Sequence, residues 1–221
     1  MDSDIYDEEK RYFSTGELVD YRKNDNNLIL EYSRTKIVLE FIKEGIVRVV
    51  KEKNNEIDLS STYAVLDKNL EYTNYEILDK KEKLVAKTDT LDIRIAKNSF
   101  SLAFYDKNEN LIHEDAKESL KWNKDEIWTK KKTDENEYFY GLGEKTGFLN
   151  KKGKKYSMWN SDVFEAHIES TDPLYISIPF YLTTDSKKSY GIYFDNSYKS
   201  YFDFRVNENG EYIFGAQGGK L

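Results

Sequence analysis

Carboxylates are the reactive groups this sequence holds in quantity: 41 Asp and Glu, against two histidines and no cysteine. Two carboxyl groups about 5–5.5 Å apart can cleave a glycosidic bond with retention, one as nucleophile and one as acid. Spacing along a chain cannot show that distance, and most acidic residues here sit in Lys/Glu-rich segments that read as solvated faces. The exceptions are Glu144, Asp162, Asp172, Asp195 and Asp203, which stand among Gly, Trp, Pro and Phe in the second half. With no thiol there is no disulfide, zinc ribbon or cysteine nucleophile. His113 follows Leu111-Ile112 and reads as an edge histidine, whereas His167 lies in the loop-like Phe164-Glu165-Ala166-His167-Ile168-Glu169. Neither is near a Ser or Cys motif, so a hydrolase triad has no support. Gly141-Leu142-Gly143 lacks the third glycine of a dinucleotide loop and reads as a tight strand exit. Lys151-Lys152-Gly153-Lys154-Lys155 has the charge to bind an anion, but a hairpin tip with its ammonium groups in solvent is the expected reading.

The elements that carry these groups follow from a period of two. Leu28-Ile29-Leu30-Glu31-Tyr32, Lys36-Ile37-Val38-Leu39-Glu40-Phe41 and Ile46-Val47-Arg48-Val49-Val50 predict a three-strand meander. Leu91, Ile93 and Ile95 alternate with polar partners, and Phe100, Leu102 and Phe104 resume the pattern. Alternating side chains lay one face on a core and one in water, so a net charge of −7 and a folded chain are compatible. Leu, Ile, Val and Phe make up about a quarter of the residues, enough to escape the composition of disordered chains. The second half adds Ile178-Pro179-Phe180-Tyr181-Leu182-Thr183, Tyr190-Gly191-Ile192-Tyr193-Phe194 and Tyr198 to Phe204, with turn signals between. Helix is expected only in two short stretches, Asp4 to Tyr12 and Glu114 to Trp122. The polar stretches 22–27, 51–56 and 130–137 predict loops.

The fold class expected is therefore all-β, a sandwich of antiparallel strands with few short helices, spanning residues 21–221 after an acidic, at best partly ordered segment 1–20. No βα alternation occurs, so a (β/α)₈ barrel is not expected within this chain. Lysines are interspersed with acids, which gives no footprint for nucleic acid. An acidic start and the lack of any apolar run near 18 residues predict a soluble, cytoplasmic protein without a signal peptide or membrane partner.

Four motifs then fall in order. Tyr140-Gly141-Leu142-Gly143-Glu144-Lys145-Thr146-Gly147 is followed by Tyr156-Ser157-Met158-Trp159-Asn160-Ser161-Asp162, then by Thr171-Asp172-Pro173-Leu174-Tyr175, with Ile178-Pro179-Phe180 just beyond, and by Tyr190-Gly191-Ile192-Tyr193-Phe194-Asp195-Asn196. Their order and spacing resemble the N-terminal domain of α-glucosidases of glycoside hydrolase family 31. The resemblance implies a galactose-mutarotase-like β-sandwich packed on a catalytic (β/α)₈ barrel of the same protein, with both catalytic carboxylates on the barrel and no cofactor. It implies that no catalytic residue lies in this chain, which would stop before the barrel and be inactive alone. It also implies a loop reaching the substrate, with Asp162 accepting hydroxyls of an α-glucoside oligosaccharide and Asn160, Phe164 and His167 as secondary contacts. An ionised carboxylate accepts two vicinal hydroxyls, and Trp159 and Phe164 would supply an apolar wall. Glu144, Asp172, Asp195 and Asn196 are expected to close turns. A different reading is a stand-alone carbohydrate-binding sandwich that stacks sugar on exposed aromatics.

Overall fold

Alternation alone builds the first sheet. Leu28, Leu30, Ile37, Leu39 and Phe41 are all fully buried, and they lie on β2 (Asn27–Tyr32) and β3 (Thr35–Lys43), which join β1 (Leu18–Asn24) and β4 (Ile46–Lys51) in the antiparallel order β1-β2-β3-β4. The meander expected from the sequence is present, with β1 as an unforeseen edge strand. The computed structural model describes residues 6, 7, 10–53, 56–60 and 70–219. These fall into two units, Ser14–Leu120 and Lys121–Gly219, the second also taking the described residues up to Phe13.

Within the first unit a second antiparallel run faces the meander: β5 (Glu76–Asp79), β6 (Lys83–Lys87), β7 (Leu91–Ala96), β8 (Leu102–Asp106) and β9 (Leu111–Trp122), neighbours in sequence and in the sheet. Leu84, Ala86, Ile93 and Ile95 turn inward with no exposed surface. Each fully buried Leu, Ile or Phe contributes about 1.5–3 kcal/mol of transfer free energy, which is what holds such charge-rich strands together. The sheets are also tied by Tyr32, whose hydroxyl donates to the Ala96 carbonyl at 2.6 Å and whose ring meets Phe100 edge-on at 5.9 Å. Phe41 stacks on Tyr75 at 3.9 Å.

The helix expected over Glu114 to Trp122 is wrong. That stretch is the body of β9, paired with β8 through Phe104↔His113 and Ala103↔Glu114. Its buried positions, His113, Asp115, Ala116, Ser119 and Leu120, switch from a period of two to gaps of three and four because Glu118 takes a left-handed backbone conformation, φ 51°. That break in a strand imitates helical spacing. Asp115 and Ser119 are buried on partners of the sheet itself: the Asp115 carboxylate accepts from the Leu102 N–H at 3.1 Å, and Ser119 donates to the Phe100 carbonyl at 3.0 Å. Of the other candidate helix, residues 4, 5, 8 and 9 lie outside the described residues, and the rest of the stretch is not helical. Among the described residues no helix is long and apolar enough to cross a membrane.

The second unit has four neighbouring antiparallel sheet strands, β12 (Lys155–Met158), β15 (Ser200–Asp203), β16 (Glu211–Ala216) and β10 (Ile127–Lys132) in that order, and a three-stranded sheet, β11 (Tyr138–Gly143), β13 (Ser177–Thr184) and β14 (Ser189–Tyr193). Aromatic rings fill the space between them. Phe204 stacks on Phe139 at 4.6 Å, Tyr181 meets Phe204 and Phe214 edge-on, and the Tyr181 and Tyr212 hydroxyls hydrogen-bond at 2.8 Å. The segment before β1 adds an edge to this unit: Phe13 bridges Trp122, and Lys10, Tyr12 and Trp128 all donate to the Glu126 carboxylate.

Glu126 has a pH consequence. Burial pushes its carboxyl up, the hydrogen bonds from Lys10, Tyr12 and Trp128 together outweigh that, and the net position is below the ordinary value of 4.5. A depressed folded-state pKa contributes stability that is complete above 4.5 and is lost as pH falls through the folded value. Melting temperature followed from neutral pH into this acid window is expected to drop less steeply for Glu126→Gln than for the wild type, from a lower starting point. Equal slopes would remove Glu126 from the acid response.

Candidate functional site

The motif residues gather around one long loop of the second unit. Its approach begins where β11 ends in Gly141, Leu142 and Gly143, all at positive φ, 125°, 71° and 77°. A Cβ on Gly143 would stand 2.5 Å from the Ile176 carbonyl oxygen and 2.9 Å from the Ile178 nitrogen, so only glycine lets β11 press this closely on the start of β13. The expected tight strand exit is what the Gly-Leu-Gly sequence makes. Immediately after it the Glu144 N–H donates to Ile176 O at 2.9 Å.

Lys145 comes next and points inward. Its side chain is 0% exposed, and the ammonium donates to the Asp172 carboxylate at 2.7 Å and to the Ser157 carbonyl at 2.6 Å. The other oxygen of Asp172 accepts the Ser157 N–H at 2.5 Å. Ser157 is the last residue but one of β12 and Asp172 opens the return to β13, so this clamp closes the base of the loop 158–171. Thr146 reinforces it, its hydroxyl lying 2.9 Å from the Glu169 carbonyl and 3.0 Å from that of Thr171. Asp172 is structural, as expected, but it closes the base of a long loop and not a tight turn: its partners are a backbone N–H 15 residues away and a buried lysine 27 residues away.

Above the base the chain is pinned at three successive points. The Asn160 carboxamide oxygen accepts the Ser177 N–H at 2.9 Å, the Ser161 N–H donates to Leu174 O at 2.9 Å, and the Tyr175 hydroxyl donates to the Val163 carbonyl. Between these tethers stands Asp162, exposed, its carboxylate making no hydrogen bond or ion pair among the described residues. Phe164 is 92% exposed and Trp159 half exposed. His167 is exposed too, its ring 5.7 Å from that of Tyr175. Of the four residues singled out from the sequence, Asp162 and Phe164 thus present free side chains. Asn160 uses its carbonyl oxygen on the backbone, and His167 packs by a ring.

Tyr175 and Lys145 were not singled out in the sequence as site residues. Both stand inside the recognised motifs, Tyr175 as the end of Asp-Pro-Leu-Tyr and Lys145 within Gly-Glu-Lys-Thr-Gly, and motif membership was the one signal available.

The lysine run overturns its expected reading. Lys151 is buried, with its ammonium donating to the Phe148 carbonyl at 2.9 Å, and burial followed by the nearby Lys154 and Lys145 charges pulls it below the ordinary lysine range. Lys152 donates to the carbonyls of Asp134 and Glu137, and Lys154 pairs with Glu169. These charges hold loops together through internal acceptors and do not form a solvated tip. Elsewhere, Asp134, Glu137 and Asp185 place carboxylate oxygens within 4.8 Å of one another. Glu137 is already engaged by Lys188 at 3.0 Å and Thr133 at 2.7 Å, and Asp185 caps the Lys187 and Lys188 N–H groups. Asn196 closes its turn as expected, accepting from the Tyr198 N–H and donating to Gly218 O.

A two-unit antiparallel β architecture that projects a clamped, aromatic-flanked loop defines a class, and comparison with known proteins identifies it. Residues 36–203 match the model of the glycosyl hydrolase 31 N-terminal galactose mutarotase-like domain, and the chain belongs to that family. It is 35% identical over 186 residues to alpha-glucosidase 2 of Bacillus thermoamyloliquefaciens, covering 84% of this chain and 23% of that protein. Among solved structures, the GH31 dextranase of Flavobacterium johnsoniae aligns over 95% of this chain and 26% of its own, with 31% identity and a TM-score of 0.85. The cycloalternan-forming enzyme of Listeria monocytogenes shares the fold at a TM-score of 0.81 and 19% identity, over 96% of this chain and 20% of its own. The chain thus spans about a quarter of the length of these relatives.

Proposed function

We propose that this chain is the N-terminal domain of a retaining α-glucosidase that releases terminal α-linked glucose from oligosaccharides. In this reading the domain supports a catalytic barrel, lends it the loop around Asp162, and has no turnover by itself. The observation that carries it is an exposed carboxylate, Asp162, which has no partner among the described residues and stands between tethered neighbours on a loop closed at its base. A carboxylate held ready in this way suits the capture of sugar hydroxyls, since it need not give up a protein partner first. Support also comes from the relatives: one is named an alpha-glucosidase, and the dextranase was solved with isomaltotriose.

The supporting role has its own surface. Tyr138, Ile178, Phe180, Leu182 and Tyr193 project from the outer face of the three-stranded sheet, each between 39% and 49% exposed, and Phe180 lies against the bare backbone of Gly191. A contiguous apolar face of this kind marks an interaction site, and the catalytic barrel of the same protein is the partner proposed for it. A cytoplasmic location belongs to the same proposal and is read out by fractionating the producing cells.

The test is kinetic. The complete polypeptide is expected to hydrolyse an aryl α-glucoside, the 221-residue chain to leave it untouched, and appreciable turnover by the chain alone would overturn the division of roles. In the complete polypeptide Asp162→Ala removes hydrogen bonds to a charged acceptor, worth about 1.5–3 kcal/mol, so kcat/KM is expected to fall roughly 10- to 100-fold at unchanged melting temperature. Wild-type kinetics for that variant would take Asp162 out of the site.

A further inference from the structure

We infer that Tyr175 is a positioning residue for Asp162: its hydroxyl, by holding the Val163 carbonyl, fixes the backbone one residue beyond the carboxylate and so sets where that carboxylate points. The inference rests on the reading of Asp162 as a sugar contact given above.

The geometry is specific to this residue. Asp162 has tethers on both sides, and they differ in kind. On the N-terminal side, Asn160 and Ser161 bond to the backbone of Ser177 and Leu174, using one carboxamide and one main-chain pair. On the C-terminal side the bond at Val163 is made by the Tyr175 phenol. All three anchors, Leu174, Tyr175 and Ser177, belong to one short stretch that runs directly from the Asp172 clamp into β13, so the loop is laced to a segment that is itself fixed to the core through buried Leu174. Removing the Tyr175 hydroxyl frees only the C-terminal side. The stretch from Val163 to His167, which lies between this bond and the tethers of Ile168 and Glu169, is then free to swing, carrying Asp162 with it, while the sandwich stays intact.

Tyr175 also touches the loop a second time, through the ring of His167. Tyr175→Phe keeps that ring contact and deletes only the hydroxyl, so the two parts of its role separate. Because Tyr175 is 41% exposed, the change leaves the core packing untouched.

A loosened loop lowers the fraction of molecules with Asp162 in the binding-competent place, and the apparent affinity falls by that same fraction. Saturating substrate recovers the competent state, so the effect belongs to KM. In the complete polypeptide Tyr175→Phe is expected to raise KM for an aryl α-glucoside about 3- to 10-fold, the size expected for one lost hydrogen bond, with kcat within twofold and an unchanged melting temperature. Tyr175→Ala, which also gives up the His167 contact, is expected to raise KM at least as far. In the Asp162→Ala background the Tyr175→Phe change is expected to cost less than it does alone, because there is no carboxylate left to position.

Wild-type KM for Tyr175→Phe, with Asp162→Ala impaired, would overturn the role of Tyr175 and leave that of Asp162 standing. Fully additive losses in the double variant would overturn it as well, by showing that Tyr175 acts independently. If Asp162→Ala itself behaves as wild type, the underlying reading fails, and the positioning role fails with it.

Discussion

Asp172→Asn is expected to lower the stability of the chain by about 4–5 kcal/mol, and Lys145→Met by about 3 kcal/mol, figures that bracket the ~3–5 kcal/mol cost of removing one partner of a buried ion pair. The order follows from exposure. The Lys145 side chain has none, whereas Asp172 keeps 18%. Neutralising Asp172 leaves an ammonium without its counter-charge where water cannot reach it, with only neutral oxygens as acceptors. Neutralising Lys145 instead leaves a carboxylate that is partly hydrated and still accepts from the Ser157 N–H. In a domain of this size 1 kcal/mol moves the melting temperature by about 2–4 °C, so the first change should lower it by roughly 8–20 °C and the second by roughly 6–12 °C. The double variant should lose much less than the two losses added together, since each single change includes the penalty for the partner it abandons. If Lys145→Met proves the worse of the two, or if the losses add, the ammonium is not the buried member of the pair. The same clamp closes the loop that bears Asp162, so, on the role proposed for that carboxylate, whatever destabilisation is measured should be accompanied by weaker substrate capture in the complete polypeptide.

What could be read in the sequence was what is local. Leu28, Leu30, Ile37 and Leu39 declare their strands by alternation, and the strands exist because neighbours two apart share a face. The strands of the second half were legible for the same reason, and Gly141-Leu142-Gly143 as a strand exit because positive φ favours glycine. β9 defeated the same method: one left-handed residue, Glu118, shifted its inward positions to helical spacing, and no local pattern distinguishes that from a helix. The lysine run failed for a different cause. Whether an ammonium goes to water or to a carbonyl depends on which backbone comes near, and the acceptors of Lys152 are 15 and 18 residues away. At the site, Asp162 was found by motif, and the physics that holds it was not visible: its neighbours Asn160, Ser161 and Val163 are tethered to partners 12 or more residues further on. Tyr175 stayed hidden because its bond to Val163 spans 12 residues, within a segment whose order suggested only a turn.

Phe204→Ala is expected to cost about 3–5 kcal/mol, the range for truncating a buried phenylalanine, and to be the most damaging single truncation in the second unit. Phe204 is 0% exposed and central to the ring cluster: Phe139 stacks on it at 4.6 Å, Tyr181 lies 5.1 Å away, Tyr212 5.5 Å and Phe202 6.1 Å. Those rings come from β11, β13, β15 and β16, so the hole would open between the two sheets and not within one of them, and neither sheet can close it without dragging its own hydrogen-bonded strands. The spread of cavity costs reflects how far a site can collapse, and a site walled by stiff rings on paired strands collapses little. Phe204→Leu keeps most of the volume and should cost under about 1.5 kcal/mol. The contrast between the two variants is therefore the readout, measured by denaturant midpoint at constant slope. A loss for Phe204→Ala near that of Phe204→Leu would mean that the sheets do close over the gap. In that case the aromatic cluster would be filling space between two independently stable sheets, and the β11 exit, which delivers Lys145 to Asp172, would not depend on it.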